Sequence, residues 1–157
     1  MTVQKQQAEI LIKAPMREVY AFITDWSNTP RYERLVKNIE RAGGGNDKGE
    51  CLVNSYLTIL GLRLKFLYRY WFVPLTRYGG VQVKGFVRGG FWFKLTQTSD
   101  GTHVVHGEFI TSRCRILEIL VSFLLWKAFF PADLEYQLIK LKELIETNDP
   151  SHHSSNI

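Results

Sequence analysis

Cysteine is nearly absent from this sequence. Only Cys51 and Cys114 occur in 157 residues, each inside an apolar segment and neither in a CxxC-like pair. A disulfide framework or a zinc site is therefore not expected, and a reducing compartment is the default. An apolar leader is lacking too: the opening MTVQKQQAEI has no hydrophobic core segment, so no secretory signal is expected. No run is long and apolar enough to span a bilayer. The best one, Ile116–Phe130, carries Glu118 and Lys127 and stops at Pro131. Together these absences point to a cytoplasmic protein. The net charge is +5, yet no block of Lys or Arg occurs. Dispersed cations describe a solvated basic surface, with attraction to anionic lipid headgroups as the sharper alternative. No recognised nucleic-acid motif is visible, so no nucleic-acid partner is expected. Serines occur outside any GxSxG context, which leaves nucleophilic hydrolysis unsupported. Gly43-Gly44-Gly45-Asn46-Asp47 lacks the preceding strand and following helix of a phosphate-binding loop. His152 and His153 have no nearby ligand partners, so neither a metal nor a cofactor is expected.

The chain does have enough apolar residues for one domain: 45% are hydrophobic. That domain is expected over residues 1–147, followed by a polar, aperiodic tail over 148–157. Its longest helical signal is Cys114–Thr147. The second half is amphipathic, with Leu134, Leu138, Leu141 and Ile145 on one face and Glu135, Lys142, Glu143 and Glu146 available to water. The first half, Ile116–Phe130, is apolar on nearly every side, which means it is buried or meets something apolar besides its own core. Pro131 between the halves predicts a kink or a break.

Upstream, Val3–Lys13 reads as a strand ended by Ala14-Pro15. Pro15 suits the first turn of a helix over about Met16–Thr24. Asp25-Trp26 opens a turn cluster, with Asp25 expected to cap the next segment. A second short helix is expected over about Pro30–Val36, then a weak strand from Asn38 to Arg41. Glu50–Leu60 and Leu62–Val73 form a hairpin around Leu60-Gly61. Its register pairs Ile59 with Leu62, Val53 with Tyr68 and Cys51 with Tyr70 on one largely apolar face.

Tyr78–Arg88 and Phe91–Ser99 are expected to form a second hairpin around Arg88-Gly89-Gly90, pairing Val87 with Phe91 and Val83 with Leu95. Asp100-Gly101 is the strongest hairpin signal. As a two-residue loop it pairs Leu95 with His106 and Phe93 with Glu108, placing His106 and Glu108 on the inner face. A three-residue loop would instead turn Val105 and Phe109 inward.

The order of strand, two short helices, long meander and long C-terminal helix resembles the helix-grip fold of the START/Bet v 1-like superfamily, the polyketide cyclase/dehydrase and lipid-transport proteins. The opening carries the local match: Ile10-Leu-Ile-Lys-Ala-Pro15, Glu18-Val19-Tyr20-Ala21-Phe22-Ile23, then Asp25-Trp26, Pro30 and Tyr32. With Asp100-Gly101-Thr102 and Val104 it is similar to the coenzyme Q-binding and cyclase-like branch. The resemblance covers about residues 3–146. It implies an α+β fold, a curved antiparallel sheet gripping the C-terminal helix, with a cavity for an apolar molecule between them.

On this reading the cavity is lined by Tyr68, Tyr70, Phe93, His106 and Glu108 from the sheet and by Leu120 and Phe123 from the helix. The expected ligand is a lipid, isoprenoid or quinone-like molecule with a hydrogen-bonding head. The bland reading of the two tyrosines is core packing with satisfied hydroxyls. The alternative function is a cyclase or dehydratase with His106 and Glu108 as an acid–base pair; against it stands the bland reading, a solvated edge or pairing with Arg113 or Arg115. Leu124, Leu125, Trp126, Phe129 and Phe130 are expected to contact a membrane peripherally, or to be covered by a second copy in a homodimer.

Overall fold

Alternating apolar side chains build most of this molecule, and they do so in one sheet. The computed structural model describes residues 3–45, 49–59, 61–84, 87–112 and 130–147. In chain order the elements are β1 (Val3–Ile12), α1 (Met16–Thr24), a 3-10 turn (Trp26–Asn28), α2 (Thr29–Tyr32), β2 (Val36–Arg41), β3 (Cys51–Ile59), β4 (Leu62–Val73), β5 (Arg77–Gln82), β6 (Val87–Thr98), β7 (Gly101–Ser112) and α3 (Phe130–Thr147). The seven strands pair antiparallel in the order β1-β7-β6-β5-β4-β3-β2. The sheet is curved, the fold class is α+β, and α3 lies chiefly against β1 while touching α2, α1 and β7.

Two turns explain the ends of α1. Pro15 sits at the N-cap and Asp25 at the C-cap. Asp25 then caps the 3-10 turn, its carboxylate accepting from Ser27 N at 3.1 Å and from Ser27 Oγ at 2.7 Å. The β3–β4 hairpin has the expected register, from Ile59 opposite Leu62 to Cys51 opposite Tyr70. Gly61 there takes φ +80°, a left-handed conformation that glycine adopts without a Cβ penalty.

Three expectations are corrected. The second short helix stops at Tyr32, because Glu33 is extended and the chain is captured by β3. Thr58 N donates to Leu35 O at 2.8 Å, and Val36 pairs with Leu57.

The glycine pair at 89 and 90 is not a turn; it lies inside β6, and β5 ends earlier, at Gln82. The reason is cross-strand packing. Gly90 faces Phe109, Gly79 faces Trp71 and Gly107 faces Trp92. A Cβ on any of the three would come within 2.4–2.6 Å of its partner's ring. Glycine serves here to let an aromatic ring lie over the backbone.

The β6–β7 hairpin closes one residue earlier than Asp100-Gly101 suggests, with Thr98 opposite Gly101. Phe93 therefore faces His106 and Phe91 faces Glu108, a slip of two residues. Sheet faces repeat every two residues, so the slip leaves His106 and Glu108 on the inner face, as the two-residue loop required. Tertiary contacts hold this loop. Gln97 joins Gly101 O (2.8 Å) to Met16 N (2.8 Å), and a Cβ on Gly101 would lie 2.2 Å from Ile12 O.

The core lies between the inner sheet face and the helices. Val53, Tyr70, Tyr78, Phe93, Leu95 and Val104 meet Val19, Ile23, Leu138, Leu141 and Ile145 there. Leu134, Leu138, Leu141 and Ile145 are all buried, as their spacing predicted. On the other face of α3, Lys142 Nζ donates to Leu11 O at 2.7 Å and Glu146 accepts from Lys13 N at 2.7 Å. These bonds add to the apolar stripe in fastening the helix to β1 and the residue that follows it.

Candidate functional site

The inner face of β4, β5 and β6 is an aromatic wall. Tyr70 contacts Tyr78 (5.6 Å between ring centres), Phe91 (5.3 Å), Tyr68 (6.1 Å) and Trp26 (5.6 Å) in edge-to-face geometry, the arrangement that aromatic quadrupoles favour. Tyr70 and Phe93 are fully buried and locked in this packing, whereas Tyr68 stays partly open. Burial raises the tyrosine hydroxyl pKa of Tyr68 and Tyr70, helped at both by the carboxylate of Glu33 and at Tyr68 also by Glu108. Both hydroxyls therefore keep their protons and can donate hydrogen bonds.

His106 interrupts the wall. It is 2% exposed and stacks on Phe93 with ring centres 4.0 Å apart. Nδ1 lies 3.0 Å from Trp92 O, and Nε2 lies 3.1 Å from Gln137 Oε1 and 3.6 Å from Glu108 Oε1. With Nδ1 donating to the carbonyl, Nε2 either donates to Gln137 as part of an imidazolium or accepts from the amide turned end for end. Gln137, itself buried, reaches Asp133 Oδ2 at 3.2 Å and Glu108 Oε1 at 3.5 Å through Nε2. His106, Gln137, Asp133 and Glu108 thus form one polar relay between β7 and α3.

Glu33, at the end of α2, adds a third carboxyl to this region. Its pKa is raised well above the ordinary 4.5, first by burial and then by the charges of Glu108 and Asp133. Asp133 is raised for the same leading reason, burial, with the Gln137 hydrogen bond opposing it. Carboxyls that crowd in a low-dielectric space hold protons that isolated ones would lose. At the rim, the Arg34 guanidinium lies 3.5 Å from the centre of the Tyr136 ring. Among the described residues, no three His, Cys, Asp or Glu side chains are grouped to hold a metal ion.

The structure thus brings five of the seven predicted site residues, Tyr68, Tyr70, Phe93, His106 and Glu108, onto one face. Leu120 and Phe123 lie outside the described residues, as do Leu124, Leu125, Trp126 and Phe129 of the predicted membrane contact and both Arg113 and Arg115. Phe130 is described by its backbone alone, and Pro131 sits in the first turn of α3. Sequence reasoning finds no third polar group near His106 and Glu108; the structure supplies Gln137, Asp133 and Glu33. Gln137 carries a usable signal. It lies three residues after Leu134 and four before Leu141, so a polar side chain interrupts the buried stripe of the helix. Trp26 does more than shape the turn cluster. Its Nε1 is buried with no acceptor among the described residues, beside Tyr70.

Comparison with known proteins turns on this architecture. No family model matches the chain, and no curated protein matches it by sequence. Solved structures do. TTHA0849 of Thermus thermophilus superposes with a TM-score of 0.74 at 19% identity, over 93% of this chain and 99% of that one. The Zhui aromatase/cyclase of Streptomyces sp. R1128 gives 0.70 at 12% identity over 92% and 94%. A START superfamily protein of Mycobacterium smegmatis gives 0.66 at 12% identity over 92% and 97%. The fold is the START/Bet v 1-like helix-grip fold. At such identities the likeness is one of fold, and it does not single out the coenzyme Q-binding branch or any other.

Proposed function

We propose that this helix-grip protein binds a hydrophobic small molecule, of lipid, isoprenoid or quinone-like class, between the inner sheet face and the C-terminal helical region. The observation that carries this is the His106–Gln137 relay buried in an aromatic wall. An apolar surface with a few convergent polar groups is the usual make-up of a small-molecule site. In this reading Tyr68 and Phe93 line the apolar body of the site with Tyr70 behind them, and Leu120 and Phe123 form its far wall. His106 and Glu108 meet the polar head, and the Nε1–H of Trp26, buried without an acceptor among the described residues, donates to a ligand carbonyl. Extraction of the purified protein with organic solvent, followed by mass spectrometry, is expected to release one enriched lipid-like species. An extract indistinguishable from that of an unrelated control protein would sink the reading.

One observation favours a second reading, a cyclase or dehydratase. Burial, then the charges of Glu108 and Asp133, raise the Glu33 carboxyl well above its ordinary pKa, and an acid that holds its proton more tightly can assist loss of water from an aldol product. Incubation with a short linear polyketone tests it: a product lighter by one water supports the enzyme, and quantitative recovery of the polyketone removes it.

A further inference from the structure

The convex face of the sheet, opposite the proposed cavity, carries a groove of about 410 Å³. Its composition follows from the strand registers. One cross-strand row reads Trp71, Gly79, Trp92, Gly107; the next towards the β4–β5 turn reads Val73, Arg77, Lys94, Val105; on the other side runs Arg69, Val81, Gly90, Phe109. Trp71, Trp92, Phe109 and Val81 wall the groove, and Arg77 and Lys94 close one end. The rings are not packed into the core. Trp71 leans over Gly79, Trp92 over Gly107 and Phe109 over Gly90, and all three stay partly exposed.

The charges here are arranged against stability. Arg77 and Lys94 face each other directly across β5 and β6, both exposed, and like charges in that position destabilise a sheet. Neither is within ion-pair distance of a carboxylate among the described residues. Arg69, also exposed and paired with Val81 at the far side, likewise has no carboxylate within ion-pair distance among the described residues. An anion seated between Arg77 and Lys94 would turn this repulsion into two charge-assisted contacts.

We infer that this groove is a binding site for a planar aromatic anion, a ring system carrying a carboxylate or sulfonate. The ring stacks against Trp71 and Trp92, and the anionic group lies between Arg77 and Lys94. The volume suits one small molecule. The rings lean along the sheet instead of standing off it, so they offer stacking surfaces to a planar guest.

The test uses the full chain with 2-naphthoate as probe, followed by NMR of the tryptophan indole N–H groups. Saturable shifts are expected at Trp71 and Trp92, identified by Trp71→Phe and Trp92→Phe, with Trp26 on the opposite face unmoved. Neutral 2-naphthylmethanol should bind at least about tenfold more weakly, since it loses both charge-assisted contacts. The double variant Arg77→Gln/Lys94→Gln should lose about tenfold in 2-naphthoate affinity and melt at a higher temperature than the parent, since it relieves the cross-strand repulsion. The proposal is overturned by the absence of saturable shifts, by equal affinity for the neutral probe, or by shifts confined to Trp26. Tight binding of a single-stranded oligonucleotide or of anionic vesicles without any response to 2-naphthoate would overturn it as well.

Discussion

His106 has no freedom that its neighbours do not use: one face on Phe93, Nδ1 on a strand carbonyl, Nε2 on Gln137. Replacing it with alanine leaves the amide oxygen of Gln137 without its ring-nitrogen partner, while the amide nitrogen stays on Asp133 and Glu108. The cost is about 1–3 kcal/mol of stability, to be read from chemical denaturation. The same substitution should weaken binding of the extracted ligand about tenfold. Unchanged affinity would remove His106 from the site and leave it a core residue. Glu33 makes a prediction about pH. Its folded pKa is raised, so between the ordinary value of 4.5 and the raised one the folded state holds a proton that the unfolded state has released. Stability then falls as pH rises through that window, by up to about 1.4 kcal/mol per pH unit for one proton. Glu33→Gln should flatten the fall and be the more stable protein at neutral pH. Denaturation midpoints taken from about pH 4 to about pH 8 decide it, and parallel curves for parent and variant would count against a buried, protonated Glu33.

Among the elements, β5, β6 and β7 depend on glycines placed opposite aromatic rings. Gly107→Ala sets a Cβ 2.4 Å from the Trp92 ring, so the indole must swing away or the strands must part. The expected loss is about 1–3 kcal/mol, accompanied by a change in tryptophan fluorescence. A neutral outcome would show that the ring relocates freely. Pro131, in the first turn of α3, separates two stretches of sequence with different character. The amphipathic half is fastened to β1 by Lys142 and Glu146, while the sequence of the other half is apolar all round. That contrast is the reason to propose peripheral membrane contact through Leu124, Leu125, Trp126, Phe129 and Phe130. Co-sedimentation is expected with vesicles of mixed neutral and anionic lipid and should be lost in Leu124→Ser/Trp126→Ser. Absence of binding to any vesicle, with a monodisperse dimer in solution, would favour a second copy as the cover. Among the described residues no helix is long and apolar enough to cross a membrane.

For the molecule as a whole, a ligand that binds only the folded state raises its stability by mass action, by about 2.7 kcal/mol at a hundredfold excess over Kd. Protein stripped of its extractable material should therefore melt at a lower temperature than protein as purified, and adding the extract back should restore the difference. Identical melting curves before and after stripping would argue that nothing occupies the interior.

Local pattern determined much of this. The 3.6-residue spacing of Leu134, Leu138, Leu141 and Ile145 marked the buried stripe of α3. The two-residue period of β3 and β4 set their register, because any one-residue slip would turn the apolar face to water. Element order was enough for the helix-grip resemblance, while the β7 pattern left two loop lengths open, of which the two-residue one puts His106 and Glu108 inside. Tertiary structure decided what depends on partners distant in the chain. Whether Gly89-Gly90 turns or runs straight depended on Phe109 needing a place to lie. How far the second helix runs depended on β3 capturing Leu35 and Val36. That Gln137 meets His106, and that Asp133 and Glu33 gather near Glu108, depended on where α2 and α3 come to rest on the sheet. Periodicity reports which side of an element is dry, a property of the element alone; which polar groups meet within the dry interior is a property of packing between elements, and no local pattern encodes it.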